Sequence, residues 1–95
     1  SVQKQSSELA KSKKKLKEVE KRIAELDRLF TRLYEDNVSG KISDARFAVM
    51  SAGYEDEQKK LRATVAELTA YIDTAEQKSA DVTAFIRAVQ KYEHI

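Results

Sequence analysis

Apolar side chains recur at alternating intervals of three and four residues along two long stretches of this chain. In the first stretch the pattern is unbroken from residue 16 to residue 33. Its a positions hold Leu16, Ile23 and Phe30, and its d positions hold Val19, Leu26 and Leu33. A heptad repeat keeps one apolar stripe turned toward a partner helix and predicts a left-handed supercoil. Gln5 and Ser12 fall at earlier d positions, so we expect a weaker seam toward the N-terminus.

The second stretch continues this spacing with one irregularity. Its seam positions are Phe47, Met50, Tyr54, Gln58, Leu61, Val65, Leu68, Ile72, Ala75, Ser79, Val82, Ile86 and Val89. Two successive four-residue steps around Tyr54 form a stutter, which locally unwinds a supercoil. Gly53 lies beside the stutter, and a glycine inside a helix costs about 1 kcal/mol relative to alanine. Both a local bend and a tolerated surface glycine fit this position.

Turn-forming residues separate the two stretches. They are Asn37, Ser39 and Gly40. These residue types tolerate backbone angles outside the helical range. Ser43 is a suitable N-cap for a second helix, because its hydroxyl can accept an amide hydrogen bond, and Asp44 favours the positive end of that helix. Ile42 and Phe47 occupy the two positions of a hydrophobic staple.

A short turn between two heptad helices predicts an antiparallel pair. We therefore expect an all-α fold, a long antiparallel two-helix coiled-coil hairpin. Its helices should cover about residues 3–37 and 44–92, with a turn over about 38–43. The expected pairs are Leu33 with Phe47, Phe30 with Met50, Leu26 with Tyr54, Val19 with Leu61, Leu16 with Val65, Leu9 with Ile72 and Val2 with Ser79. At 1.5 Å per residue the helices measure about 50 and 70 Å, so the stripe from Val82 to Val89 outruns its partner.

Composition narrows the classes of function. The 95 residues contain no Pro, Cys or Trp and are rich in Lys, Glu, Ala, Arg and Leu, which is typical of long helices. No stretch reaches the roughly 18–20 apolar residues of a membrane span, and no signal peptide is visible. The lack of Cys excludes disulfides and thiolate zinc sites within these residues. Because the chain starts without Met, we expect a processed or excised fragment.

No arrangement of catalytic side chains is present in the sequence. The one histidine, His94, has only Glu93 beside it, which is too few groups for a metal site or a general base. The acidic run at residues 55–57 lacks the spacing of a calcium loop and is predicted to be a solvated helix face. Ser39 and Ser43 have no histidine to activate them. We expect no enzymatic activity in this chain, no cofactor and no metal.

Five lysines fall within seven residues of the first helix. They are Lys11, Lys13, Lys14, Lys15 and Lys17. Such a run can contact DNA phosphates without sequence specificity. No aromatic residues or groove-reading motif accompany it, and Glu18 and Glu20 follow closely. A solvated flank of the coiled coil is therefore the alternative interpretation.

Two residues near the turn are not required by the seam. Tyr34 and Val38 lie outside the a/d stripe, whereas Tyr54 fits it. An aromatic residue exposed at the tip of a hairpin is a suitable anchor for protein contact. Packing over the turn is the competing explanation.

Short motifs flank the turn: Leu33-Tyr34-Glu35-Asp36, then Gly40-Lys41-Ile42-Ser43-Asp44, then Arg46-Phe47. Together they resemble the coiled-coil region of large serine recombinases, the resolvase/invertase-related integrases and transposases of mobile elements. Tyr54-Glu55 and residues 85–92 extend the resemblance, the latter toward the conjugative-transposon branch. Ala45 departs from the Glu usual at that position, which removes a charge at the helix start.

This resemblance implies a parent protein that recombines DNA through a serine nucleophile and DNA-binding domains outside this fragment. It implies that the coiled coil meets coiled coils of other subunits through its tip, which favours synapsis and controls directionality. The tip residues carried over are Leu33, Tyr34, Asn37, Val38, Ile42 and Phe47. A bacterial cytoplasmic location on DNA follows, with no membrane or small-molecule partner. The alternative is a structural coiled coil without a DNA role that dimerises through residues 79–92.

Overall fold

The computed structural model describes residues 2–93 of the chain, apart from the side chain of Val2. Two helices, α1 over Val2–Val38 and α2 over Asp44–Glu93, are joined by a turn at residues 39–43. They pack side by side in opposite directions, and the molecule measures 78 × 19 × 16 Å. The all-α helical hairpin is therefore confirmed, and each helix end lies within one residue of its predicted position.

One seam between the helices contains the buried core of the described residues. The buried apolar side chains of α1 are Val19, Leu26 and Leu33, which are its three d positions. Ile72 of α2 is also buried, while the a positions of α1 are only half-buried. The d side chains of α1 therefore point most directly at α2. Leu26 is 0% exposed and marks the centre of this core.

The turn begins with a Schellman motif at the end of α1. Gly40 has a φ of +82°, the left-handed conformation that glycine adopts without steric cost. The amide of Lys41 donates to the Asp36 carbonyl at 2.9 Å, and the amide of Gly40 donates to the Asn37 carbonyl at 3.1 Å. These two bonds satisfy carbonyls that would otherwise be left open at the helix end.

The start of α2 is capped as the sequence predicts. The Ser43 hydroxyl accepts a hydrogen bond from the amide of Arg46 at 3.2 Å, which is the bond of an N-cap serine. Asp44 lies in the first turn of α2, where its charge opposes the helix dipole. The chain therefore leaves one helix and enters the next with the exposed backbone groups of both ends partly satisfied.

The helix α2 is continuous through the stutter. Gly53 lies inside it, and an added Cβ at Gly53 would meet no heavy atom within 4 Å. This open space favours the interpretation of Gly53 as a tolerated surface glycine. The stutter instead places the polar side chain of Gln58 in the seam, where it is 8% exposed.

Near the start of α1, contacts join residues farther along α2 than the predicted pairs suggest. Lys13 reaches Glu76, and Leu9 borders a groove beside Ser79 and Ala80, although the pairing set Leu9 opposite Ile72. Side chains lean toward the N-terminus of their own helix, so those of α1 and α2 lean toward each other along the axis. The ring of Phe47 contacts Phe30, which the pairing placed opposite Met50. The Val2–Ser79 pair lies outside the described side chains.

In the part of the chain that the structure describes, neither helix has an apolar stretch of the length that crossing a bilayer requires.

The two glycines form a matched test of backbone conformation. Neither added Cβ would meet a heavy atom within 4 Å, but only Gly40 has a positive φ. We expect Gly40→Ala to lower the free energy of unfolding by about 1–2 kcal/mol. We expect Gly53→Ala to raise it by about 0.5–1 kcal/mol, because alanine favours a helix interior. Denaturant titration followed by circular dichroism measures both, and a destabilising Gly53→Ala would contradict the surface-glycine interpretation.

Candidate functional site

Two apolar side chains stand exposed at the tip of the hairpin. Tyr34 is 56% exposed and Val38 is 68% exposed. They are four residues apart on α1, so they lie next to each other on one face of the helix. Packing over the turn, the competing explanation for these residues, would bury them and is not observed. The tip therefore presents a small apolar surface, the Tyr34–Val38 patch.

Asn37 holds the turn together from inside. Its side-chain amide donates to the Ile42 carbonyl at 3.1 Å and to the Asp44 carboxylate at 2.8 Å. The contacts cross from the end of α1 to the turn and to the first residue of α2. Asn37 is therefore engaged within the hairpin, and its amide is not free to contact another subunit.

The other tip residues inferred from the resemblance pack within the hairpin. Leu33 is 4% exposed, while Ile42 and Phe47 are half-buried. The Phe47 ring lies 6.2 Å from the Phe30 ring, centroid to centroid, with the planes tilted by 55°. This geometry is a favourable aromatic contact. These three side chains support the shape of the tip, and the Tyr34–Val38 patch is the part of the set that faces outward.

Sequence reasoning missed one exposed residue near the tip. Val49, in the second turn of α2, is 73% exposed. The heptad places Val49 at a c position and Tyr34 at an e position, on opposite sides of the seam. Val49 therefore lies on the other face of the hairpin from the Tyr34–Val38 patch. An apolar residue outside the seam positions was the signal that could have identified it.

A charged cluster joins the helices in the middle of the hairpin. The Arg22 guanidinium donates to both carboxylate oxygens of Glu57, at 2.7 and 3.1 Å, and also contacts Glu25. A bidentate contact of this kind fixes the relative orientation of the two side chains and also attracts them to each other. The hydrogen bond from Arg22 lowers the pKa of Glu57, and the same bond raises the pKa of Arg22. Glu57 therefore has a partner across the seam, although its side chain stays 40% exposed. Spacing within one helix does not show a partner on the other.

Gln58 adds a second polar contact across the seam. Its side-chain amide donates to the Ile23 carbonyl at 3.1 Å and to the Asp27 carboxylate at 2.7 Å. Its own oxygen accepts from Arg62 at 3.4 Å. These bonds satisfy the polar group of a side chain that lies in the apolar seam.

The lysine run forms an exposed surface on α1. Its five members are Lys11, Lys13, Lys14, Lys15 and Lys17, and all are exposed. Lys13 forms a salt bridge with Glu76 at 2.7 Å, with both side chains about half exposed. Such a pair contributes little to stability. Among the described residues, the other four lysines of the run form no salt bridge and remain available to an anionic ligand.

The described residues contain no group of three or more histidine, cysteine, aspartate or glutamate side chains that could hold a metal ion. His94 lies outside the described part of the chain. Comparison with protein-family models, curated proteins and solved structures finds no match. Function must therefore be inferred from the surfaces of the hairpin and from the motifs around its turn.

The Arg22–Glu57 pair predicts a pH-dependent contribution to stability. Because the folded pKa of Glu57 is depressed, the contribution is complete above the ordinary pKa of 4.5 and is lost as pH falls through the folded value. We expect Glu57→Gln to melt at a lower temperature than the wild type near neutral pH. This difference should shrink as pH falls below 4.5.

Thermal melts followed by circular dichroism at several pH values measure this effect. Glu55→Gln is the matched control, because Glu55 is exposed and lies two residues away on the same helix. Its melting temperature should follow the wild type at every pH. A Glu57→Gln difference that stays constant from neutral to acid pH would contradict the prediction.

Proposed function

We propose that this chain is the coiled-coil interaction module of a site-specific DNA recombinase of the large serine class. In this proposal the Tyr34–Val38 patch binds the coiled coil of another subunit during synapsis. The observation that carries the proposal is the exposure of these two side chains, at 56% and 68%, at the extreme end of a long hairpin.

Three other residues at the tip have structural roles. Gly40 supplies the left-handed turn residue, Asn37 bridges the turn, and Ser43 caps α2. Tyr34 and Val38 lie outside the seam and remain exposed, so the fold does not explain them. A surface that the fold does not require, placed where a partner can reach it, supports a role in recognition.

The size of the patch suits a reversible contact. Full burial of a tyrosine- or valine-sized side chain contributes about 1.5–3 kcal/mol. When identical patches meet across a twofold axis, each contact occurs twice. A few side chains can then hold two subunits together during synapsis and still release them. In this proposal the serine nucleophile and the main DNA-binding surfaces belong to other parts of the parent protein, which acts on DNA in the bacterial cytoplasm.

The double variant Tyr34→Ala/Val38→Ala tests the tip in the parent recombinase. We expect site binding by single subunits to stay unchanged, because the patch does not face DNA in the proposal. Synaptic complexes should fall tenfold or more, since a buried aromatic at the centre of an interface often contributes about 2 kcal/mol. Gel shift distinguishes the two species, one with a single site and one with paired sites.

Val49→Ala and Tyr92→Ala are matched controls for the same experiment. Both remove exposed side chains of the same types, at 73% and 80% exposure, away from the patch. Neither should reduce synapsis by the mechanism proposed for the tip. Unchanged synapsis in the Tyr34→Ala/Val38→Ala variant would contradict the proposed role of the patch, provided that circular dichroism shows the helices intact.

Four lysines support a second, weaker contact with nucleic acid. Lys11, Lys14, Lys15 and Lys17 are exposed and form no salt bridge among the described residues. Phosphate contacts of this kind are independent of sequence and weaken as salt concentration rises. We propose that this surface touches DNA backbone when the recombinase is assembled on its site.

Replacing these four lysines by alanine should reduce binding of the chain to duplex DNA of arbitrary sequence. Each lost phosphate contact should also flatten the plot of log affinity against log salt by about 0.9. Fluorescence anisotropy at several salt concentrations measures both quantities. Lys13→Ala should have a smaller effect, because Lys13 pairs with Glu76. A wild-type chain without affinity at low salt would contradict DNA contact.

A further inference from the structure

The outward side of α1 carries a row of basic side chains. In the heptad of α1, the b, c and f positions point away from the partner helix. The lysines and arginines at these positions between residues 11 and 32 are all exposed. We call them the basic stripe: Lys11, Lys14, Lys17, Lys21, Arg28 and Arg32. At 1.5 Å per residue the stripe is about 32 Å long.

The fold leaves the charges of the basic stripe unpaired. None of its six side chains forms a hydrogen bond or a salt bridge among the described residues. Arg22, which lies nearer the seam, is by contrast bound to Glu57 and Glu25. The acidic residues of the same outward side are Glu18 and Glu25, and Glu25 is already bound to Arg22. Six positive charges are therefore accompanied by only two negative ones.

The outward side of α2 is different in charge. Its exposed acidic residues are Asp56, Glu67, Asp73 and Asp81. Lys60 of this side is bound to Asp56 at 3.0 Å. Basic and acidic residues are thus mixed along α2, and the excess of positive charge lies on the side of the hairpin that α1 forms.

The uncharged residues of this side indicate the kind of partner. Between residues 11 and 32, the outward positions of α1 hold only Ala24 and Thr31 besides charged residues. Every large exposed apolar side chain of the described chain lies outside this range. Interfaces between proteins have an apolar centre within a polar rim. Phosphate contacts need no such centre, because lysine and arginine donate directly to phosphate oxygens. This composition favours a nucleic-acid backbone over a protein surface.

We propose that the basic stripe binds lengthwise along duplex DNA through phosphate contacts, with α1 between the DNA and α2. The inference rests on the lysine contact with DNA proposed above and extends it along the helix to Lys21, Arg28 and Arg32. The stripe, at about 32 Å, is close in length to one helical turn of DNA, about 34–36 Å. Arg28 and Arg32 contribute guanidinium groups, which bind phosphate in a bidentate manner.

This arrangement brings DNA close to the tip without covering the aromatic residue of the Tyr34–Val38 patch. Successive residues of an α-helix are about 100° apart, so Tyr34 points about 200° away from Arg32 around the axis. When Arg32 faces the duplex, Tyr34 therefore faces away from it. The DNA contact and the tip contact are compatible within one complex.

Fluorescence anisotropy of the 95-residue chain with duplex DNA of arbitrary sequence tests the proposal over a range of salt concentrations. Six phosphate contacts predict a slope of about −5 for log affinity against log salt. Arg28→Ala/Arg32→Ala should flatten this slope by about 1.8 and weaken binding about tenfold at about 50 mM salt. Arg28→Lys/Arg32→Lys should keep most of the slope, because lysine retains the charge.

Arg46→Ala/Arg87→Ala is the matched control, because it removes two exposed arginines from α2 with the same change in net charge. We expect its slope to follow the wild type, and circular dichroism should show intact helices in all variants. Equal weakening by both arginine pairs would overturn the basic stripe in favour of overall charge.

The alternatives are separated by two further measurements. Loss of binding when the four lysines are replaced, with no change in Arg28→Ala/Arg32→Ala, would overturn the basic stripe and leave the lysine contact standing. A wild-type chain that does not bind DNA at low salt would overturn both, while synapsis still tests the tip. Polyglutamate that competes as well as DNA would also overturn the proposal and assign the stripe to an acidic protein segment.

Discussion

The seam between α1 and α2 is the constraint on which the rest of the structure depends. Two helices can bury only the sides that face each other, so the hairpin has one thin core and no second layer. Val19, Leu26, Leu33 and Ile72 are its buried apolar residues. The opposite helix covers the other apolar side chains only in part or not at all. Exposed apolar residues are therefore expected wherever one helix ends before the other or the chain turns.

A seam of repeated leucine, isoleucine and valine does not by itself select one alignment, because a shift by a heptad brings similar side chains together. Polar contacts remove this ambiguity. Arg22 reaches Glu57, whereas a shift by one heptad along α2 would set Met50 or Thr64 at that place. The Asn37 side chain fixes the turn in the same way. Apolar burial thus holds the two helices together, while a few directed hydrogen bonds fix their alignment.

The hairpin could be predicted from sequence because its determinants are local. The heptads, Gly40 and the Ser43 cap each act within a few residues. The candidate site was only partly predictable. The exposure of Tyr34 follows from its place outside the a/d stripe. The hydrogen bond of the Asn37 side chain depends on Asp44 across the turn. The role of Glu57 was hidden for the same reason: its partner is on the other helix.

The unequal lengths of the helices separate two apolar surfaces by nearly the full length of the molecule. The Tyr34–Val38 patch lies at the turn, where neither helix can cover it, and the exposed side chains of Val82, Phe85 and Tyr92 lie toward the opposite end of α2. The length of the hairpin, 78 Å, keeps the two surfaces from covering each other within one chain. Each must therefore be covered by another molecule or remain in water. Because they share no residues, occupation of one surface leaves the other free, and a long hairpin can link two separate contacts.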